Sequence, residues 1–332
     1  MRLIILAVAA FAVAGCGARD QIVVVPPVEG AVQHDVLFAT NRSTSARMFS
    51  EGRSQTASYG QATVSVPPKH ELGVVEYPKK NANPKSEFGI IRAQTTTSLS
   101  AFEGLLETRI AQNPQEQRKA IVYVHGFNST FAEALYLKTQ LIHDYQRPEV
   151  PILFSWPSSG RGYAYLHDHE SVLASRTPLE TLLDTLQTSS LDAFTLVAHS
   201  MGSQLVMETL RQRSIRSNGR QWSKLTGVAL ISPDIDVDVF AQASKDMGGL
   251  PQPFVVIAAE NDKLLSLSGV LNGSKARLGA VKTAADLEGT EATVVSADFA
   301  TDLWSSNHMT AFRSPQMIGY LQAIEQNLTE QK

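Results

Sequence analysis

From residue 119 onward, short apolar runs alternate with longer segments of helical character. The runs occupy 120–124, 152–154, 194–198, 227–231, 254–259 and 292–295. Most lack the polar alternation of a half-exposed strand, so both faces of each are expected to be buried. Strands of a parallel sheet covered by helices have that pattern. The intervening segments carry helix-start signals. Thr130 to Glu133 fits a capping box, Thr177-Pro178-Leu179-Glu180 fits another with proline at the first helical position, and Ser314-Pro315 opens the last helix. Strands alternating with helices predict an α/β protein with a mostly parallel, doubly wound sheet flanked by helices. The intervals are too short for a second large domain, and the short loop before Gln252 argues against a large cap domain.

Upstream the pattern is looser. Residues 36–39 predict a first strand ending at Thr40-Asn41-Arg42. Residues 43–58 are polar and predict a loop. Residues 62–66 alternate with the strand period and stop at Pro67-Pro68, and 77–86 read as an exposed loop. The extreme N-terminus differs again. Arg2 precedes an apolar run over 3–13, then Ala14, Gly15 and Cys16. A basic start, an apolar stretch and small residues make a secretory signal, and the run falls short of the ~20 residues that span a bilayer. Val13-Ala14-Gly15-Cys16 resembles the lipobox of bacterial lipoproteins. That resemblance implies cleavage before Cys16 and lipidation of its sulfur and amine. Gly17 in place of Asp implies the outer membrane, with the domain facing the periplasm. The expected division is 1–15 signal peptide, 16–33 lipidated N-terminus and linker, and 34–332 the folded domain.

Cys16 is the single cysteine, so no disulfide can form within the chain. The net charge of −3, from 29 basic and 32 acidic residues, offers no basic excess for a nucleic-acid partner. At 43% hydrophobic and 18% charged residues, the chain can bury a sizeable core.

The chemistry concentrates after the apolar runs. Ala198-His199-Ser200-Met201-Gly202 follows one run and precedes a helical segment. A serine in a tight strand–turn–helix bend needs small residues two before and two after it, and Ala198 and Gly202 meet that need. The helix start behind Ser200 favours negative charge on a nucleophile or an oxyanion. His125-Gly126-Phe127 follows the run 120–124. The N–H groups of Phe127 and Met201 are the candidate oxyanion donors; His125 is expected to orient its loop.

A serine nucleophile needs a histidine to take its proton and a carboxylate to hold that histidine. Of eight histidines, only His308 follows Ser200, as the serine–acid–histidine chain order requires. Asp262, after the run 254–259, is the preferred acid; Asp234 and Glu260 are the alternatives. Trp156 and Tyr165 are expected to form a substrate wall. His167 and His169 alternate on one segment, a poor arrangement for one metal. No metal and no cofactor is expected.

The residues match a known family. Phe38-Ala39-Thr40-Asn41-Arg42, Tyr59-Gly60, Val64-Ser65-Val66-Pro67, His125-Gly126-Phe127-Asn128, Phe154-Ser155-Trp156-Pro157-Ser158, Ala198-His199-Ser200-Met201-Gly202, Pro233-Asp234-Ile235-Asp236 and Arg277-Leu278-Gly279 resemble the bacterial α/β-hydrolase family of unknown function, within the esterase/lipase superfamily. The resemblance runs from about Val36 to about His308. It implies the α/β-hydrolase fold and, by default, hydrolysis of a carboxylic ester or lipid through an acyl-enzyme. Acyl transfer to an alcohol is the neighbouring reading, and a non-catalytic binding lipoprotein of the envelope is the alternative from another class.

Overall fold

A computed structural model of the chain describes residues 21–259 without a break and, beyond them, 262, 265, 268–269, 277–287, 289–297, 308–316 and 318. The signal and lipobox residues and Glu260 lie outside the described residues. Among the described residues, nine strands form one sheet: β1 Val32–Ser45, β2 Met48–Val66, β3 Gly89–Thr96, β4 Lys119–Val124, β5 Val150–Ser155, β6 Ala193–His199, β7 Leu225–Ile231, β8 Phe254–Ala258 and β9 Thr293–Ser296. Their order across the sheet is β3-β2-β1-β5-β4-β6-β7-β8-β9. Only β2 runs against its neighbours. Helices among the described residues include α1 Leu99–Ala111, α2 Phe131–Asp144, α3 Tyr165–Ala174, α4 Arg176–Thr188, α5 Met201–Arg216, α6 Val237–Met247 and a short α7 Thr310–Arg313.

The apolar runs are continuous because each strand feeds two cores. Leu37, Ala39, Ile152, Phe154, Leu196 and Leu230 pack on one side with Phe102 of α1, Leu182 of α4, Leu205 of α5 and Phe240 of α6. Val36, Phe38, Tyr123 and Leu153 pack on the other with Leu135 and Tyr136 of α2 and with Phe312. Successive strand residues point to opposite faces, so burying both faces removes the polar alternation.

The topology also locates a crevice. After β4 the chain moves through α2 to β5 on one side; later it returns to β6 on the other side of β4. Right-handed crossovers in opposite directions put α2 and α5 on opposite faces. The gap beyond the carboxyl ends of β4 and β6 is therefore a switch point, where open α/β sheets bind ligands.

Three expectations need correction. Residues 43–58 are not a loop but the outer half of the β1/β2 hairpin, paired from Thr44↔Phe49 to Thr40↔Ser58. Apart from Phe49, which reaches the core, this ribbon is largely polar, so it lacks the apolar face that announces a strand. Arg53 ties it to α3 through the His167 carbonyl and Glu170. The expected linker is docked from residue 23: Val25 N–H donates to the Ile90 carbonyl and Ile90 N–H to the Val23 carbonyl, at 2.9 and 2.8 Å. The capping box at Thr130 is present, but the one at Thr177 is not. The chain runs from α3 almost directly into α4, so Leu179 N–H already finds the Ser175 carbonyl. Thr177 then lies inside the helix. Finally, β3 and α1 carry no pattern singled out above.

At the amino ends of the strands His70 sits between two carboxylates, Nδ1 2.9 Å from Glu76 and Nε2 2.7 Å from Asp144. Burial works against its charge, but the hydrogen bonds to Asp144 and Glu76 prevail and raise its pKa above the ordinary 6.5. Nearby, burial and the His143 charge push His34 down to about 4. A raised folded pKa contributes stability that is complete below the unfolded value and is lost as pH rises through the folded one. The urea midpoint of the wild type should therefore exceed that of His70→Leu by more at about pH 5.5 than at about pH 9. A gap that widens toward high pH would contradict this.

Candidate active site

Ser200 follows β6 and has φ 51° and ψ −124°, a conformation that non-glycine residues avoid. Its backbone is held on both sides. Its N–H donates to the Ile231 carbonyl at 2.9 Å, and its carbonyl accepts from Ser203 N–H at 2.9 Å and Asp234 N–H at 3.3 Å. Gly202 fits because a Cβ there would lie 2.3 Å from the His125 carbonyl oxygen and 2.7 Å from that of Val124. The small-residue rule at this position thus arises from the end of β4, which the helix start must approach backbone to backbone.

Asp262 follows β8 and is fully buried. Its Oδ2 accepts from His308 Nδ1 at 2.7 Å, and its Oδ1 accepts from Leu265 N–H at 3.1 Å. His308 is buried beside His199, with ring centroids 4.7 Å apart. The structure therefore brings together the preferred acid, the preferred base and the residue preceding the serine. Asp234 is engaged elsewhere: it accepts from Ser268 Oγ and, at 2.9 Å, from Tyr165 Oη, and it faces Arg277 Nε at 3.4 Å. Its role is to tie together the loops that follow β5, β7 and β8.

Phe127 lies in the loop after β4, and Met201 is the first residue of α5, where N–H groups have no acceptor within the helix. Gly126 brings the two segments together: a Cβ there would lie 3.0 Å from Ser200 Cβ. Tyr165 flanks this loop, its ring 5.5 Å from that of Phe127. Trp156 does not form a substrate wall. Its side chain is fully buried, its Nε1–H donates to the His125 carbonyl at 2.7 Å and its ring stacks on His125 at 5.0 Å. An indole sealed in this way cannot touch a substrate; it props the loop. His125 is pushed down to about 3, by burial and then by Arg42, so it is neutral and serves as part of the same prop.

Sequence reasoning passed over Arg42. It is fully buried, and its guanidinium donates to Ser155 Oγ at 2.9 Å, to the Ser158 carbonyl at 2.8 Å and to the Ser129 carbonyl at 2.8 Å, with His125 Nε2 at 3.4 Å. Burial lowers its pKa to about 9, which still leaves it charged at neutral pH. Asp168, also fully buried, accepts from Ser158 Oγ and from Ser159 N–H at 2.7 Å. The available signal was an arginine three residues beyond the apolar run 36–39, where a charge is buried only if it is paired. His167 lies against Asp168 and His169 against Gln204.

The model of the family described as alpha/beta hydrolase of unknown function, DUF900, matches residues 100–324. The chain belongs to this family. No curated protein matches the chain. This α/β-hydrolase is similar to solved esterases at low identity. Esterase B from Lactobacillus rhamnosis is 11% identical, with 94% of this chain and 93% of that one covered and a TM-score of 0.35. The esterase from Pyrobaculum calidifontis is 11% identical, with 91% and 86% covered and a TM-score of 0.37. A mutant of esterase E40 is 12% identical, with 93% and 88% covered and a TM-score of 0.39. Among its described residues, no helix of the hydrolase is long and apolar enough to cross a membrane.

The contact at Gly202 yields a direct test. Gly202→Ala sets a methyl against two backbone carbonyls that cannot rotate away, so it should destabilise the fold by roughly 1–3 kcal/mol. Urea denaturation monitored by tryptophan fluorescence reads this; a variant as stable as the wild type would contradict the contact.

Proposed function

We propose that the protein is a serine hydrolase that cleaves a carboxylic ester through Ser200, His308 and Asp262. The reading rests on one observation above the others: the 2.7 Å contact between His308 Nδ1 and a fully buried Asp262, made beside the strained turn that carries Ser200. A carboxylate that accepts Nδ1–H leaves the lone pair on Nε2, the tautomer a general base needs.

In the proposed cycle, His308 Nε2 removes the Ser200 Oγ proton as oxygen attacks the ester carbonyl. The oxyanion forms against the N–H groups of Phe127 and Met201. His308 then gives its proton to the leaving alcohol, and an acyl-serine remains. Water, deprotonated by His308, attacks the acyl group; the carboxylic acid departs and Ser200 regains its proton. No cofactor enters the cycle. Tyr165, beside Phe127, is the residue proposed to contact the substrate. Arg42, Trp156 and His125 hold the donor loop before substrate arrives, the preorganisation on which oxyanion stabilisation depends.

The sequence Val13-Ala14-Gly15-Cys16 supports a further part of this reading. Lipidation at Cys16 would tether the enzyme to the bacterial envelope, in the outer membrane and facing the periplasm, where esters and lipids are the accessible substrates.

Turnover of nitrophenyl butyrate by purified variants tests the assignment of the acid. Ser200→Ala and His308→Ala should abolish it. Asp262→Asn should lower kcat on the order of 10³–10⁴-fold, because the amide favours the wrong tautomer. Asp234→Asn should cost far less, since it perturbs only the contacts to Tyr165, Ser268 and Arg277. A larger loss in Asp234→Asn than in Asp262→Asn would overturn the assignment.

A further inference from the structure

We propose, on the reading of Ser200, His308 and Asp262 as a triad, that His199 is the positioning residue that sets the distance between the base and the oxyanion loop. His199 ends β6 directly before the nucleophile, and its side chain is buried. On one side, its Nε2–H donates to the His308 carbonyl at 3.2 Å, with the two rings tilted at 53°. On another, a Cβ at residue 126 would lie 2.7 Å from its Nδ1, so the imidazole fills the space that a larger residue there would need. Phe312 closes a third side, edge-on at 5.0 Å, and its own carbonyl accepts from Gln140 Nε2 at 3.3 Å. One ring thus borders the loop that bears Phe127 and the turn that bears His308, while its backbone leads into Ser200.

The chemistry explains why this ring is needed. Asp262 grips the His308 side chain and fixes its rotation, but that bond does not itself hold the His308 carbonyl. The bond from His199 to the His308 carbonyl supplies the second restraint. Burial, then the neighbouring His308 charge, holds the His199 pKa well below the ordinary imidazole value. His199 is therefore neutral, and its single N–H is committed to that carbonyl. Neutrality serves the reaction too, since a cation here would oppose the charge that His308 acquires when it takes the serine proton.

The test uses the full chain purified in detergent, as His199→Phe and His199→Gln. Phenylalanine keeps the ring's bulk and removes the donor; glutamine restores a donor near the position of Nε2. With nitrophenyl butyrate, His199→Phe should lose roughly 10- to 100-fold in kcat, the scale of a small misplacement of reacting groups, with KM within about twofold. His199→Gln should recover most of that loss. The low-field proton resonance of the His308–Asp262 hydrogen bond should persist in both variants. A folded His199→Phe with wild-type kcat, a glutamine variant no better than phenylalanine, or loss of that resonance from both would overturn the positioning role. Fluorophosphonate labelling separates the two levels. A wild type that does not label removes the triad reading and this inference with it, whereas equal labelling rates for the wild type and His199→Phe remove only the inference.

Discussion

The geometry of the site depends on the turn at Ser200. A non-glycine residue at φ 51° costs on the order of 1–3 kcal/mol, so the turn persists only where its surroundings enforce it. They do so through three backbone hydrogen bonds, to Ile231, Ser203 and Asp234, and through the contact of Gly202 with the end of β4. Each such bond contributes about 0.5–1.5 kcal/mol, enough in combination to offset the strain. The strands that flank β6 therefore hold Ser200 in place, and the same strands end in the loops that carry Phe127 and Asp234.

A second layer of order comes from polar groups sealed beneath those loops. Arg42 and Asp168 are both fully buried, and a charge in that setting is tolerated only when hydrogen bonds replace its water. Arg42 meets this need with Ser155 Oγ at the end of β5 and the carbonyls of Ser158 and Ser129, from the loops after β5 and β4. The cost of leaving any of them unpaired makes the arrangement close to all-or-none. Burial that would be unfavourable alone thus becomes a means of fixing two loops against each other, with Trp156 and His125 stacked alongside.

Much of this was legible in the sequence, for identifiable reasons. Strands buried on both faces appear as unbroken apolar runs, so 120–124, 194–198 and 227–231 predict β4, β6 and β7 closely. The pairing of His308 with Asp262 beside the Ser200 turn was legible because each of the three follows a strand, in the chain order that the proposed chemistry requires. The outer part of the β1/β2 ribbon, 43–58, was not legible, since it is largely polar and carries no apolar periodicity. Trp156 was misread because its place after a strand puts it at the rim, while its indole turns inward to stack on His125. The roles of Arg42 and His199 depend on contacts between segments far apart in the chain, which no local pattern records. His199 in particular touches a carbonyl 109 residues away.

The central claim is that Ser200 is the nucleophile and that Phe127 and Met201 supply the oxyanion donors. A crystal structure of the protein after reaction with a fluorophosphonate probe tests it most directly. Phosphorus should be bonded to Ser200 Oγ, its phosphoryl oxygen within hydrogen-bond reach of the Phe127 and Met201 N–H groups, and His308 still paired with Asp262. An adduct on another residue, or a phosphoryl oxygen turned away from both N–H groups, would contradict it.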